Sequence, residues 1–322
     1  MNLAFADPVT HPVLIVAVAM ILFVAAPLLF ERARIPGIVG ILIAGAVVGP
    51  HGLNLLARDG TIILLGTVGL LYIMFLAGVD LDLHGLRRRP SRSVGFGLLT
   101  NLLPQLLGLP LGLLLGYGWP ASILLGSMFA SHTLVAYPVA SRLGIVRNDA
   151  VTAAVGGTLV TDTLALLVLA VISASVGGSL DAAFWVRLGV SLALFAAVVL
   201  LVMPRIARWF FRNERGGSPP QLTLVLAVLF VSAALAEAAG VEGILGAFLA
   251  GLALNRLIPE GGLLMNRLHF VGDALFIPFF LLSVGMLVDV RVLAADPRAW
   301  LVMVGMTTVV LVTKWMAAAA AG

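Results

Sequence analysis

Gly37-Ile38-Val39-Gly40-Ile41-Leu42-Ile43-Ala44-Gly45 returns later in the chain as Gly243-Ile244-Leu245-Gly246-Ala247-Phe248-Leu249-Ala250-Gly251, without a gap. The shared pattern is G-I-x-G-x-x-x-A-G. Small residues at this spacing leave a shallow stripe on an apolar helix, against which a second helix can bring its backbone close. A second echo stands at nearly the same offset: Phe75-Leu76-Ala77-Gly78-Val79 resembles Phe280-Leu281-Leu282-Ser283-Val284. Two echoes in the same order predict an internal repeat.

The surrounding sequence is as apolar as these stretches. Of 322 residues, 61% are hydrophobic and only 11% charged, a mixture that would aggregate in a water-soluble domain of this size. Eleven apolar segments are expected as helices: 12–30, 36–50, 61–80, 93–116, 120–143, 149–176, 183–203, 221–239, 242–257, 269–288 and 299–321. No long alternation of apolar and polar residues suggests a β-barrel, so the fold class is an all-α polytopic membrane protein. There is no cysteine, hence no disulfide, thiolate metal site or cysteine nucleophile. The first dozen residues lack a basic stretch and a small-residue cleavage site, so the first segment is expected to act as its own insertion signal.

The basic residues lie in short loops between apolar segments, where they set topology, and no nucleic-acid partner is expected. Alternate loops divide them unequally. One side carries Arg32, Arg34, Arg87, Arg88, Arg89, Arg92, Arg142, Arg147, Arg205, Arg208, Arg212, Arg215, Arg256 and Arg267, and the other only Arg58, Arg187, Arg291 and Arg298. Cytoplasmic retention of Lys and Arg then places the N-terminus outside, in a multi-pass protein of the cell inner membrane. Under this topology the second and ninth segments enter the membrane from opposite faces, so the repeat is expected to be inverted. The domain reading is 1–203 for the first repeat plus a linker helix, 204–220 for a cytoplasmic linker rich in Arg, Gly, Ser and Pro, and 221–322 for a second repeat. Mates for segments five and six would follow segment eleven, so the second repeat is expected to be incomplete in this chain, with about eleven of thirteen helices present.

Ionisable residues at bilayer depth cost at least ~2.5 kcal/mol on insertion scales, and few lie there. Asp162 falls near the centre of the sixth segment, in Gly156-Gly157-Thr158-Leu159-Val160-Thr161-Asp162-Thr163, and Lys314 deep in the eleventh, in Leu311-Val312-Thr313-Lys314-Trp315. One reading is a static ion pair that fixes packing. The other is an exchanging site, because a single carboxylate beside water holds a proton or a small cation but not both. In Phe129-Ala130-Ser131-His132-Thr133-Leu134-Val135-Ala136-Tyr137-Pro138, polar residues at mid-helix and a proline predict an interruption. Freed carbonyls there, with the hydroxyls of Ser131 and Thr133, are hard oxygen donors suited to Na⁺ or K⁺. A simple proline kink with back-bonded hydroxyls is the alternative. His132 is given no role. Asp80, Asp82, Glu237, Glu242, Asp273 and Asp289 stand near segment ends, where interfacial solvation explains them. Asn101 and Gln105 are expected to bond a neighbouring helix. No phosphate-cradling loop, metal-ligand histidine spacing or nucleophile elbow is present, so the chain is not expected to be an enzyme.

At Ser131-His132-Thr133-Leu134-Val135-Ala136-Tyr137-Pro138, Gly156-Gly157-Thr158 and Thr161-Asp162-Thr163, the sequence resembles the Kef-type cation:proton antiporters, the Na⁺/H⁺ exchanger-like transporters of bacteria. The likeness continues through Ile35-Pro36, Gly49-Pro50-His51-Gly52-Leu53, Gly246 to Gly251, Phe279 to Met286 and Thr313-Lys314. The resemblance implies two inverted six-helix repeats with discontinuous helices, a mobile core against a scaffold that forms a homodimer, and alternating access. It implies that Asp162 binds cation or proton and that Lys314 is its charge partner, with no cofactor. Related exchangers carry Asp, Asn or Gln where this chain has Thr161, and Thr161, Ser131 and Thr133 are candidate cation ligands or their supports. The expected activity is exchange of Na⁺ or K⁺ for H⁺. The rival readings are a gated potassium efflux pathway and an organic-anion symporter on the same architecture.

Overall fold

The computed structural model describes residues 8–81, 90–129, 143–145, 148, 182–212, 218–259, 261–289, 291–292 and 297–321, and a broken series between 150 and 172. Apart from a lone backbone bridge between Val9 and Leu56, their regular structure is helical. In chain order the helices are α1 (Pro12–Arg32), α2 (Gly37–Val48), α3 (Gly60–Asp80), α4 (Pro90–Leu114) and α5 (Trp119–Met128). Then come α6 (Ala182–Ala197), which runs through a π-helical turn into α7 (Met203–Phe211), and α8 (Pro219–Ala238). The last are α9 (Gly243–Leu254), α10 (Leu263–Val271), joined by a π-helical turn to α11 (Ile277–Gly285), and α12 (Pro297–Ala321).

Seven described helical stretches are long and apolar enough to cross a membrane: Pro12–Arg32, Gly60–Asp80, Ser93–Leu114, Gly189–Phe211, Pro219–Ala238, Leu263–Gly285 and Ala299–Ala320. Gly37–Val48 and Gly243–Leu257 are shorter apolar helices. The segments expected at 120–143 and 149–176 lie largely outside the described residues.

Local chemistry sets the boundaries. Proline opens α1, α5 and α8 within their first turns, where a missing N–H leaves no bond unmade, whereas Pro204 of α7 follows closely on the π-helical turn. Asp59 caps α3, its Oδ1 accepting from the N–H of Thr61 at 3.0 Å and of Ile62 at 3.1 Å. Gly240, with φ +87°, turns the chain after α8 in a backbone conformation that a side chain would disfavour. The stretch expected as a linker from residue 204 begins as helix: α7 continues to Phe211 because Met203 and Ala207 form a buried stripe while Arg205, Ile206, Arg208 and Trp209 face outward.

Two packing groups result. In the first, α3 lies against α9 and α11, α2 against α1 and α11, and α8 against α9. Here the repeated glycines make the contacts. A Cβ added at Gly45 of α2 would lie 3.1 Å from the Cα of Gly285 in α11, and one at Gly251 of α9 would lie 3.1 Å from the Cα of Gly78 in α3. The equivalent residues of the two echoed motifs thus each meet a glycine of a helix in the other half of the chain. α3 and the α10–α11 stretch run antiparallel, Gly66 facing Ser283, Gly69 facing Phe280 and Tyr72 facing Gly272. In the second group, α4 packs on α5 and on α12. Gly112 meets Ser122, Gly108 meets Gly126, and Gly97 meets Gly157 and Val160.

Candidate functional site

Three of the five candidate residues, Asp162, Ser131 and Thr133, lie outside the described residues. Thr161 and Lys314 are described, as are the helices around them. Thr161 is 2% exposed, and its hydroxyl donates to the carbonyl of Thr158 at 2.9 Å. Thr158 repeats the arrangement one turn earlier, donating to Ala154 O at 2.8 Å. Each hydroxyl spends its proton on its own helix and keeps its lone pairs for something else. Lys314 is partly buried on α12. Thr313 beside it is fully buried and donates to Val309 O at 2.7 Å and Val310 O at 3.1 Å.

α4 supplies the wall between these elements. Thr100 and Asn101 are buried on it, and the hydroxyl of Thr100 donates to Phe96 O at 2.7 Å. Gln105, with its amide oriented to satisfy both neighbours, donates to Ile123 O at 3.2 Å and accepts from the N–H of Ser127 at 3.2 Å. Those two groups are the pair that an α-helical turn bonds to each other, so Gln105 braces α5 in its last turn, just before the expected interruption. Gly126 makes room, since a Cβ there would lie 3.1 Å from the Gln105 Cα and crowd its amide. Gln105 therefore bonds a neighbouring helix as its sequence suggested. Asn101 does not: its Nδ2 is buried and has no hydrogen-bond partner among the described residues.

The first packing group places other polar residues where sequence reasoning had not. Asp80 was expected to be solvated at a segment end; its side chain is 11% exposed and its Oδ1 lies 3.2 Å from His269 Nε2. Asn255, just past α9, donates to the carbonyls of Val79 and of Leu81, the latter at 2.9 Å, closing the C-terminus of α3. At the other end, His51 Nδ1 lies 3.2 Å from Asp289 Oδ2, and Arg291 donates to Gly52 O at 3.1 Å. Tyr72 donates to Leu268 O at 2.8 Å across the α3–α10 contact. The only signal for these in the sequence is a polar residue set against an apolar segment end, which does not name its partner. A cavity of about 430 Å³ is lined by Thr67 and Leu71 of α3, Leu169, Glu237 at the end of α8 and Glu242 just before α9.

Seven apolar spans with polar side chains buried between them define a multi-pass membrane protein. Residues 18–322 match the family model for the sodium/hydrogen exchanger transmembrane region, and the chain belongs to that family. It is 41% identical over 286 residues to the Na⁺/H⁺ antiporter NhaS5 of Synechocystis, covering 88% of this chain and 41% of that protein. It is 31% identical over 272 residues to the probable Na⁺/H⁺ antiporter 3 of Methanocaldococcus jannaschii, covering 83% of this chain and 69% of the relative. Over 283 residues it is 26% identical to the Na⁺/H⁺-K⁺ antiporter GerN of Bacillus cereus, covering 87% and 71%. The chain thus spans about two fifths of the length of the Synechocystis relative.

Proposed function

We propose that this chain carries out secondary active exchange of a monovalent cation, Na⁺ or K⁺, against H⁺, by alternating access at Asp162. In this reading Asp162 is the group for which cation and proton compete, Lys314 is its charge partner, and Ser131, Thr133 and Thr161 supply oxygens to the cation or support those that do. The protein lies in the cell inner membrane with its N-terminus outside and works as a homodimer. The observation that carries the reading is the concentration of buried polar side chains, Thr100, Asn101, Thr158, Thr161 and Thr313, on the helices that flank the Asp162 and Lys314 positions. Four of these are hydroxyls bonded back to their own helices, which makes burial tolerable in lipid, and polar groups gathered inside such a protein support an ion pathway. The printed names of the relatives, antiporters of Na⁺ and in one case of Na⁺ and K⁺, supply the cation class.

The inverted repeat belongs to the same proposal. Gly45 and Gly251, equivalent in the echoed motif, meet Gly285 and Gly78, each in the opposite half of the chain. The antiparallel α3 and α10–α11 stretches are what a two-fold axis in the membrane plane would relate. The experiment is proton release on titrating Na⁺, K⁺ or Li⁺ into purified protein in weakly buffered detergent. Protons should leave as one of these cations binds, and Asp162→Asn should release none while keeping its melting temperature; undiminished release from the folded variant overturns the assignment.

A further inference from the structure

Topology asks only that basic residues stay on one side of the membrane; it does not ask that they share a helix face. On α7 they do. Arg205, Arg208 and Arg212 follow one another at spacings of three and four, and all are exposed. The opposite side of the helix carries the buried Met203 and Ala207, and α7 packs on α8 and α9. One turn before Arg205 the arginine face becomes apolar. Leu201 is 53% exposed there, within the stretch Gly189–Phe211 that is long and apolar enough to cross a membrane. Trp209 stands beside the arginines and is 68% exposed, an amphipathic ring suited to the boundary between headgroups and acyl chains.

The π-helical turn that leads into α7 sharpens the arrangement. The N–H of Met203 bonds back five residues to Val198 O, and Pro204 has no N–H to give. The Leu201 carbonyl accepts from the guanidinium of Arg205. That charge is thereby held one turn back along the helix, beside the exposed Leu201, while Arg208 and Arg212 stand beyond it at the end of the span. Arg256 adds a fourth, also exposed, on the short turn Asn255–Leu257 that packs against α7. Among the described residues no carboxylate pairs with any of the four. A guanidinium fork matches the two free oxygens of a phosphodiester, and a group of them beside hydrocarbon is complementary to an anionic headgroup.

We propose that this face of α7 binds an anionic phospholipid, its phosphate held by Arg208 and Arg212 with Arg205 nearer the hydrocarbon, and an acyl chain lying along Leu201 and Trp209. The apolar run beneath the charges decides for lipid, since a soluble phosphate or an acidic peptide has no hydrocarbon chain to lay on it. The inference is independent of which residue holds the transported cation.

The test uses the full chain, stripped of lipid in a neutral detergent and titrated with phosphatidylglycerol or with phosphatidylcholine of the same acyl chains, its melting temperature being the readout. Phosphatidylglycerol should half-saturate the protein at about one tenth of the phosphatidylcholine concentration or less. Arg208→Gln combined with Arg212→Gln should bring the two lipids within about twofold of each other, whereas Arg32→Gln combined with Arg34→Gln, an equal loss of charge between α1 and α2, should keep the preference. An undiminished preference in the α7 pair overturns the proposal. So does an equal loss in both pairs, which would reduce the effect to net charge. Protection by glycerol phosphate or by an acidic peptide equal to that by phosphatidylglycerol also overturns it, making the ligand a soluble anion. A second measurement leaves the arginines intact and so holds even if the glutamine variants do not fold. Phosphatidylglycerol brominated in its chains should quench a share of the tryptophan fluorescence that Trp209→Phe lacks, at concentrations where brominated phosphatidylcholine leaves that share standing. Trp209-dependent quenching that is equal for the two lipids, or absent with both, overturns the proposal.

Discussion

The two packing groups are built on opposite principles. The core of the panel of α2, α3, α9 and α11 is mainly hydrocarbon: it runs through Ile41, Ile73, Phe75, Phe248, Phe279 and Leu282, with Ser283 buried beside them, and no residue of α4, α5 or α12 joins the apolar cluster. The α4, α5 and α12 group is polar inside. Among the described residues, eight of the eleven buried polar residues stand on α4, α5, α12 or the 150–172 stretch. Lipid tails are as apolar as leucine, so packing in the panel comes from close backbone approach at glycines and from shape, and nothing else is asked of it. In the other group, buried hydroxyls bond back to carbonyls of their own helices and Gln105 bonds α5, so the interior carries polar groups as well as shape. In the proposed reading the difference separates a scaffold from a working part.

Substitutions should respect that division, those in the panel changing stability and those in the polar group changing transport. The largest stability effect is expected at Gly285, where an added Cβ would run into the Leu42 carbonyl and crowd Gly45. Gly285→Val should cost ~3 kcal/mol or more, read as a lower melting temperature in detergent and reduced folded yield, because backbone on both sides leaves little room to adjust. Full stability in that variant would break the account of the panel. Asn255→Ala comes next. Its side chain serves the last carbonyls of α3, so its loss should cost about 1–2 kcal/mol while the apparent KM for the cation stays at the parent value. A changed KM with no loss of stability would instead assign Asn255 to the transport pathway. The smallest effect is expected at His51, 43% exposed against a 29% exposed Asp289. His51→Ala should cost under ~1 kcal/mol, since water already screens the pair. A larger loss would mean that this end of the panel is held more tightly than its exposure indicates.

Much of the panel was legible in the sequence. Echoed glycines in apolar runs marked α2 and α9 as packing helices, and hydropathy marked the long spans. Which helix each glycine meets was not legible, because a small residue advertises close approach without naming a partner. That Gly45 meets Gly285 and Gly251 meets Gly78 depends on register across the whole chain. The helical reading of Arg205 to Phe211 was hidden by the arginines and the Pro204 that made the stretch resemble a linker. On the polar side, Lys314 was singled out with Asp162 because ionisable residues at membrane depth are rare, and Thr161 because related exchangers carry Asp, Asn or Gln at its position. Asn101 and Gln105 looked alike, four positions apart on one helix. Only the neighbour tells them apart: Gly126 lets Gln105 reach across the last turn of α5, while Asn101 Nδ2 has no hydrogen-bond partner among the described residues.

The claim that binds these observations is that the polar group carries ion exchange and the panel does not. Its most direct test is cation-driven proton flux in proteoliposomes, with Asp162→Asn and Asn255→Ala measured beside the parent protein at equal reconstituted amounts. The account predicts flux with Na⁺ or K⁺ in the parent, undiminished flux per folded molecule in Asn255→Ala, and none in Asp162→Asn. Flux that survives Asp162→Asn, or that disappears in a well-folded Asn255→Ala, would contradict it.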